Sequence, residues 1–317
     1  MTGGITAVPG VRVGHATDTE ARTGCTVVIG PFRGAVDARG LATGSRELLT
    51  LGLQHMTGRL DAVLLTGGSA FGLAAADGVM AWLEERGMGF DAGVARVPIV
   101  PTAVIFDLGT GRADRRPGPE MGRAACDAAT DGAVAEGSVG AGTGATVGKL
   151  LGMEGAMPGG VGTFAVHSHG YTVGALAVVN AFGDILDGSG RILAGTRTPD
   201  GRFVDTARAL REGTSTGLPP RFGRHRELGT NTTLVVVATD APVTRAALNS
   251  LALAGSAGVA RRISPIHTPV DGDICFALST AAEAEELGLD VVLGLGAAAA
   301  YAVEQAIERA VIHAARA

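Results

Sequence analysis

Five consecutive residues, Leu234 to Ala238 (Leu-Val-Val-Val-Ala), constrain this 317-residue chain more than any other stretch. An unbroken β-branched and aliphatic run of that length is the pattern of a strand buried on both faces. Turn formers bound it, with Gly229 and Asn231 before and Asp240, Ala241 and Pro242 after. The composition can bury such a strand: 46% of residues are hydrophobic and only 18% are charged. Fifty glycines against nine Phe, two Tyr and one Trp point to close backbone packing and many tight turns. Alanine-rich helices and Val/Ile/Leu strands then make up the core. The length fits one large domain or two ordinary ones.

The entry to the strand is the unusual part. Asn231-Thr232-Thr233 puts an amide and two hydroxyls at the mouth of a buried strand, after a long polar loop. One interpretation is a strand that simply begins with β-branched residues. The other is a self-cleavage site. Thr232 Oγ attacks the Asn231 carbonyl, the acyl group moves from N to O, and water removes it. Thr232 is then a new N-terminus, its hydroxyl activated by its own α-amine or a neighbouring base.

The net charge of −5 and a sequence pI near 5.8 argue against a nucleic-acid partner. No basic run exceeds Arg115-Arg116 or Arg261-Arg262. Cys25, Cys126 and Cys275 are odd in number and far apart among apolar or small residues, as expected of buried thiols in a reducing compartment. The opening Met1-Thr2-Gly3-Gly4-Ile5 has neither a basic nor an apolar leader region, and no uncharged stretch has the length of a bilayer span. The expectation is a soluble, cytoplasmic protein without membrane association.

Along the chain, strands are expected around Val11–Val13, Cys25–Ile29 and Asp61–Thr66, the last running through Gly67-Gly68-Ser69 into a helix from Ala70 to Arg86. Ser69 is expected to cap that helix, since Phe71 stands where a nucleophile elbow needs its second glycine. A proline-punctuated segment, Val97 to Leu108, leads to an alanine-rich helix from Gly118 to Glu136. The stretch from Gly137 to Leu150 has five glycines without the spacing of a phosphate loop, and Ala145 breaks the dinucleotide pattern. Nucleotide binding is therefore not expected, nor is any cofactor. What the stretch delivers is Lys149, the only lysine in the chain. It is either an ordinary solvated residue or a perturbed, functional amine.

Paired strands are expected between residues 162 and 193. His167 and His169 share one strand face, but no third metal ligand accompanies them, so they are expected to face solvent or accept hydrogen bonds. Asn180 closes its apolar strand, as a turn former or as a donor to an oxyanion. Residues 195–229 form the longest irregular segment, an accessible setting for a scissile bond. Beyond the central strand come a helix from Thr244 to Gly258, the acidic pair Asp271-Gly272-Asp273 before an apolar strand, and a final helix from Leu289 to Ala315. The acidic pair is either a turn or two coupled carboxylates beside a nucleophile.

Five motifs stand in one order: Val11-Arg12-Val13-Gly14-His15, Leu65 to Gly72, Gly140 to Ala145, Val179-Asn180-Ala181-Phe182-Gly183 and Asn231-Thr232-Thr233-Leu234. In this the chain resembles the DmpA-type L-aminopeptidase/D-esterase family of N-terminal-nucleophile hydrolases, with the nylon-oligomer hydrolases as the closer branch. The resemblance covers nearly the whole chain. It implies an α/β fold, a four-layer α-β-β-α sandwich also found in ornithine acetyltransferases. It implies one domain, 1–317, cut into subunits 1–231 and 232–317, and a homo-oligomer of those pairs. By position, Thr232 matches the nucleophile and Asn231 the residue before the cut. Lys149 and Asn180 match assisting polar groups, and Asp271 and Asp273 the acidic pair. The aminopeptidase branch has Ser as nucleophile, a Tyr near the end of the glycine-rich stretch, and Ser and Glu at the two Asp positions. The Thr, Lys and Asp pair here favour an amide hydrolase acting on short peptides or amide oligomers. Two rivals remain. An acyltransferase would pass the acyl group to an amine and be exposed by product analysis with ornithine. A non-catalytic binding protein would stay uncut.

Overall fold

In the computed structural model, which describes residues 3–214 and 231–316, nine strands join into one continuous sheet. In chain order they are β1 (Arg12–Asp18), β2 (Thr23–Ala38), β3 (Ser45–Arg46), β4 (Arg59–Thr66) and β5 (Thr102–Val104). The remaining four are β6 (Gly160–Ser168), β7 (Tyr171–Asn180), β8 (Thr232–Thr239) and β9 (Ile274–Ser279). Across the sheet the order is β6-β7-β8-β9-β2-β4-β5-β3, with β1 also on β2. β8 and β9 run parallel, as do β4 and β5, and the other pairs are antiparallel.

The long strand β2 turns this single ladder into two layers. Its first half pairs with β1 and β4 and its second half with β9, and the register with β4 shifts between Ile29 and Phe32. A shift of this kind bends and twists a strand. The two halves of the sheet then face each other over a shared core, in which Val28, Val63 and Leu65 meet Val236, Phe276 and Leu278. Helices α1 (Ala75–Glu84) and α2 (Pro119–Asp127) cover the outer face of the β2–β4 half. Helix α3 (Thr206–Arg211) lies to one side, near the site. Helices α4 (Arg245–Arg262) and α5 (Leu289–Ala314) cover the outer face of the β6–β9 half. The architecture is the expected α-β-β-α sandwich.

β8 lies where its sequence demands. Leu234, Val236 and Ala238 enter the core between the sheets, while Val235 and Val237 enter the core beneath α4 and α5. Each large side chain so buried is worth about 1.5–3 kcal/mol relative to exposure. Small residues bring the layers close: a Cβ on Gly162 of β6 would lie 2.0 Å from the Ala306 carbonyl of α5. Helix α5 has the length and mean hydropathy (1.3) of a membrane span, which the sequence reading did not anticipate. Its inner face packs on β6, β7 and α4, and its Glu304 binds Arg261 and Arg262, the contacts of a core helix. The three thiols are free and buried, and burial pushes each of them up.

Two expected helices are redrawn. The helix expected from Gly118 to Glu136 stops at Asp127, because Thr130 leaves it to exchange both backbone hydrogen bonds with Val13 of β1. The helix expected from Ala70 begins as a 3-10 turn, Ser69–Ala74, before α1. Ser69 is not its cap. Ser69 adopts a left-handed backbone (φ 53°), Gly68 holds the cap position, and no side chain caps the turn. Thr244, by contrast, caps α4 with its hydroxyl, accepting from the Ala247 N–H at 3.3 Å.

Candidate active site

The neighbourhood of Thr232 is assembled by strand register. Asn180, the last residue of β7, stands directly opposite Thr232, the first of β8. On the other side Asn231 bridges Asp271, so the acidic turn lies beside the same strand end. Thr232 is 3% exposed. The Asn231 carbonyl oxygen accepts two hydrogen bonds, from the Gly272 N–H at 2.8 Å and from the Thr232 hydroxyl at 2.5 Å. Gly272 has no room for a side chain, since a Cβ there would lie 2.8 Å from Thr232 Oγ. The Asn231 side chain donates to the Val270 carbonyl at 3.2 Å. The loop expected before the scissile bond lies, from residue 215 to 230, outside the described residues.

Lys149 is buried, 7% exposed, which rules out the ordinary solvated lysine. Its Nζ donates to Oδ1 of Asn180 at 2.9 Å and to the Asn180 backbone carbonyl at 3.1 Å. The glycine-rich stretch that carries it is tightly packed. The Gly148 and Lys149 N–H groups donate to the carbonyls of Gly183 and Phe182, just beyond Asn180. Burial brings the lysine down to about 7, against the opposing pull of the Asp271 charge. An amine poised there changes protonation state near neutral pH.

Asn180 is fully buried, and its side chain bonds to distant segments, so it is not a turn former. Its Oδ1 also accepts from the Thr146 N–H at 3.0 Å, and its Nδ2 donates to the Phe106 carbonyl at 3.4 Å, the longest bond of the set. Its carbonyl end is thus committed to Lys149 and Thr146. The donor aimed at the Asn231 carbonyl is the Gly272 amide.

The two carboxylates differ in surroundings. Asp273 accepts the Thr233 N–H at 2.7 Å on Oδ1 and, on Oδ2, the His267 N–H at 3.2 Å and His267 Nδ1 at 3.0 Å. Asp271 accepts the Thr268 N–H at 2.9 Å and its hydroxyl at 2.5 Å on Oδ2. Burial first, then the Asp273 charge, push Asp271 above the usual carboxylate range, with the Thr268 and Phe182 donors opposing. The pair is therefore no simple turn, and both members abut the strand that begins at Thr232. His267 and Thr268, which each grip one carboxylate, were not singled out in the sequence; their only signal is that they precede the acidic pair. His167, near the end of β6, and His169, in the β6–β7 turn, lie away from this cluster, against the Thr172 and Ser168 hydroxyls.

A sandwich that buries a strand-initial hydroxyl beside a low-lying amine and two carboxylates has the parts of an acyl-transferring hydrolase. The chain belongs to peptidase family S58, whose model matches residues 3–317. An uncharacterized aminopeptidase of Mycobacterium tuberculosis is 43% identical, covering 98% of this chain and 94% of its own. A 6-aminohexanoate-oligomer endohydrolase of Kocuria sp. is 33% identical over 86% of this chain and 73% of its own. Among solved structures, the L-aminopeptidase D-Ala-esterase/amidase of Ochrobactrum anthropi, described as a variant of the Ntn-hydrolase fold, is similar with a TM-score of 0.74. At 23% identity, over 99% of this chain and 88% of that one, it shares the fold. The protein is an amide hydrolase of the peptidase kind.

Proposed function

We propose that the chain activates itself by cleaving the Asn231–Thr232 bond and then hydrolyses short peptides or amide oligomers with Thr232 as an N-terminal nucleophile. The observation that carries this reading is the Asn231 carbonyl, polarised by the Gly272 N–H and contacted by the hydroxyl that would attack it. In the self-cleavage step, Thr232 Oγ adds to the Asn231 carbonyl carbon and its proton passes to a neutral amine, with Lys149 the candidate. The Gly272 N–H holds the resulting oxyanion. The C–N bond breaks as the Thr232 nitrogen takes up a proton, leaving an ester that water hydrolyses to the Asn231 carboxylate and a free Thr232. Because the reacting groups are already fixed at a buried strand end, little orientation entropy opposes the attack.

In turnover the same hydroxyl attacks a substrate amide. Its proton goes to Lys149 or to the freed α-amine, whose ordinary pKa of about 7.7–8.0 suits a base at neutral pH. The leaving amine is reprotonated, and water releases the acyl group. Asp273, already on the Thr233 N–H, and Asp271, which acts on Lys149, keep these ammonium groups oriented. The names of the relatives, aminopeptidase and oligomer hydrolase, support short amides as the substrate class. The processed pairs are proposed to form a symmetric homo-oligomer.

Intact mass and N-terminal sequencing test the reading. The active protein is expected to contain a fragment 232–317 that begins at Thr232. Thr232→Ala should be uncut and inactive, Thr232→Ser should cut more slowly, and Thr233→Ala should cut as the parent does. An active protein that remains one uncut chain, or a fragment with another first residue, overturns it.

A further inference from the structure

His267 bears no role in the scheme above, yet its geometry is specific. It adopts a left-handed backbone, φ 56°, which a non-glycine residue enters at a cost of about 1 kcal/mol or more. That conformation lets one residue place two donors on one carboxylate oxygen: its N–H and its Nδ1 both meet Asp273 Oδ2. A carboxylate only accepts, so Nδ1 carries the proton. The other oxygen of Asp273 holds the Thr233 N–H at 2.7 Å, the amide next to the nucleophile. An unbroken line of hydrogen bonds thus runs from the imidazole through Asp273 to the start of β8. His267 is half-buried, whereas Asp273 is only 3% exposed, so without Nδ1 the carboxylate would keep two backbone donors and lose its only side-chain donor among the described residues.

We propose that His267 is a positioning residue for the nucleophile: its Nδ1–H fixes the rotamer of Asp273, and Asp273 in turn fixes the mouth of β8 on which Thr232 sits. The inference rests on Thr232 being the nucleophile. His267 does not touch Thr232 through any bond described above, so its effect falls on the rate of attack and not on substrate affinity. The same line exists in the uncut chain, so self-cleavage depends on it as well.

Two substitutions isolate the imidazole from the backbone. Both His267→Gly and His267→Asn tolerate the left-handed conformation, so neither adds backbone strain. Asn also places an N–H₂ close to where Nδ1 stands, and Gly places nothing. His267→Gly is expected to lower the rate of self-cleavage and the kcat of processed enzyme at least tenfold, with KM within twofold. His267→Asn is expected to stay within about threefold of the parent in both. Melting temperatures are read on the same samples. His267→Gly with parental kcat, or His267→Asn as slow as His267→Gly, overturns the proposal, as does a change confined to KM. Thr232→Ala is carried alongside: if it is active, the nucleophile assignment itself has failed, whereas an inactive Thr232→Ala beside an unaffected His267→Gly refutes only the positioning role. If His267→Gly does not fold, His267→Asn against His267→Ser makes the same comparison of a donor that reaches Asp273 with one too short to do so.

Discussion

A lone lysine gives the site its acid–base character. In water Lys149 would be an ammonium at any working pH, with no lone pair to take a proton. Buried among Asn180, Thr146 and the strand ends, it sits at about 7. The sign of the resulting pH dependence follows. Below about pH 7 the amine is protonated and cannot accept the Thr232 proton, so activity should fall as pH drops from 8 to 6. A rate profile flat across that interval would remove Lys149 as the base. Lys149→Met keeps side-chain length and removes the amine. Turnover is expected to drop by about a hundredfold or more, the usual worth of a general base, with folding retained. Parental turnover in that variant would return Lys149 to a structural role. The sequence marked this residue by its uniqueness, but not its protonation. That depends on burial and on Asp271, 122 positions away by numbering yet close enough for its charge to act on the amine.

The strand β8 and the acidic turn differ in how far the sequence disclosed them. β8 was legible because burial on both faces leaves an unbroken run, and its β-branched residues between turn formers favour a strand. The α-β-β-α layering was implied by the family resemblance that the five ordered motifs carry. The end of α2 was not legible, since Thr130 leaves the helix for a long-range pairing with Val13 that no local propensity encodes. His267 stayed hidden for the same kind of reason: its meaning lies in a backbone angle and in the distance to Asp273. The turn Asp271-Gly272-Asp273 was visible as a pair of acids, but its glycine looked like mere punctuation. In the fold that glycine carries the N–H on the Asn231 carbonyl and leaves space for Thr232 Oγ. Gly272→Ala, at a position with no left-handed backbone to strain, should therefore crowd the hydroxyl. It is expected to slow self-cleavage at least tenfold while costing only about 1–3 kcal/mol of stability, the range for inserting a methyl into a packed site. A gel time course of cleavage decides it, and a parental rate would show that the hydroxyl has room to move.

At the scale of the whole molecule, the distribution of apolar surface bears on assembly. Leu41, Leu49, Leu53 and Met56 are 77%, 88%, 55% and 84% exposed and lie within one short stretch of chain. On α5, Leu289, Leu293 and Tyr301 are 74%, 65% and 46% exposed. Scattered exposed leucines are normal on a monomer, but large side chains grouped in this way usually mark a surface that another protein covers. Two separate groups, one in the chain before β4 and one on α5, suit closed symmetry with more than one kind of contact, as in a tetramer with two kinds of two-fold interface. We therefore expect a homo-oligomer of processed pairs, with four copies the favoured number. Light scattering across a range of concentrations checks this, and the mass of a single chain throughout would exclude it. Leu49→Glu with Met56→Glu refines the test: two charges in a buried interface should split the assembly into smaller species, whereas on a free surface they should leave the mass unchanged. Because Leu41 lies next to Ala42, whose N–H donates to the Asp271 carbonyl, splitting the assembly at this face should also lower activity. Dissociated protein with full turnover would separate the oligomer from the site.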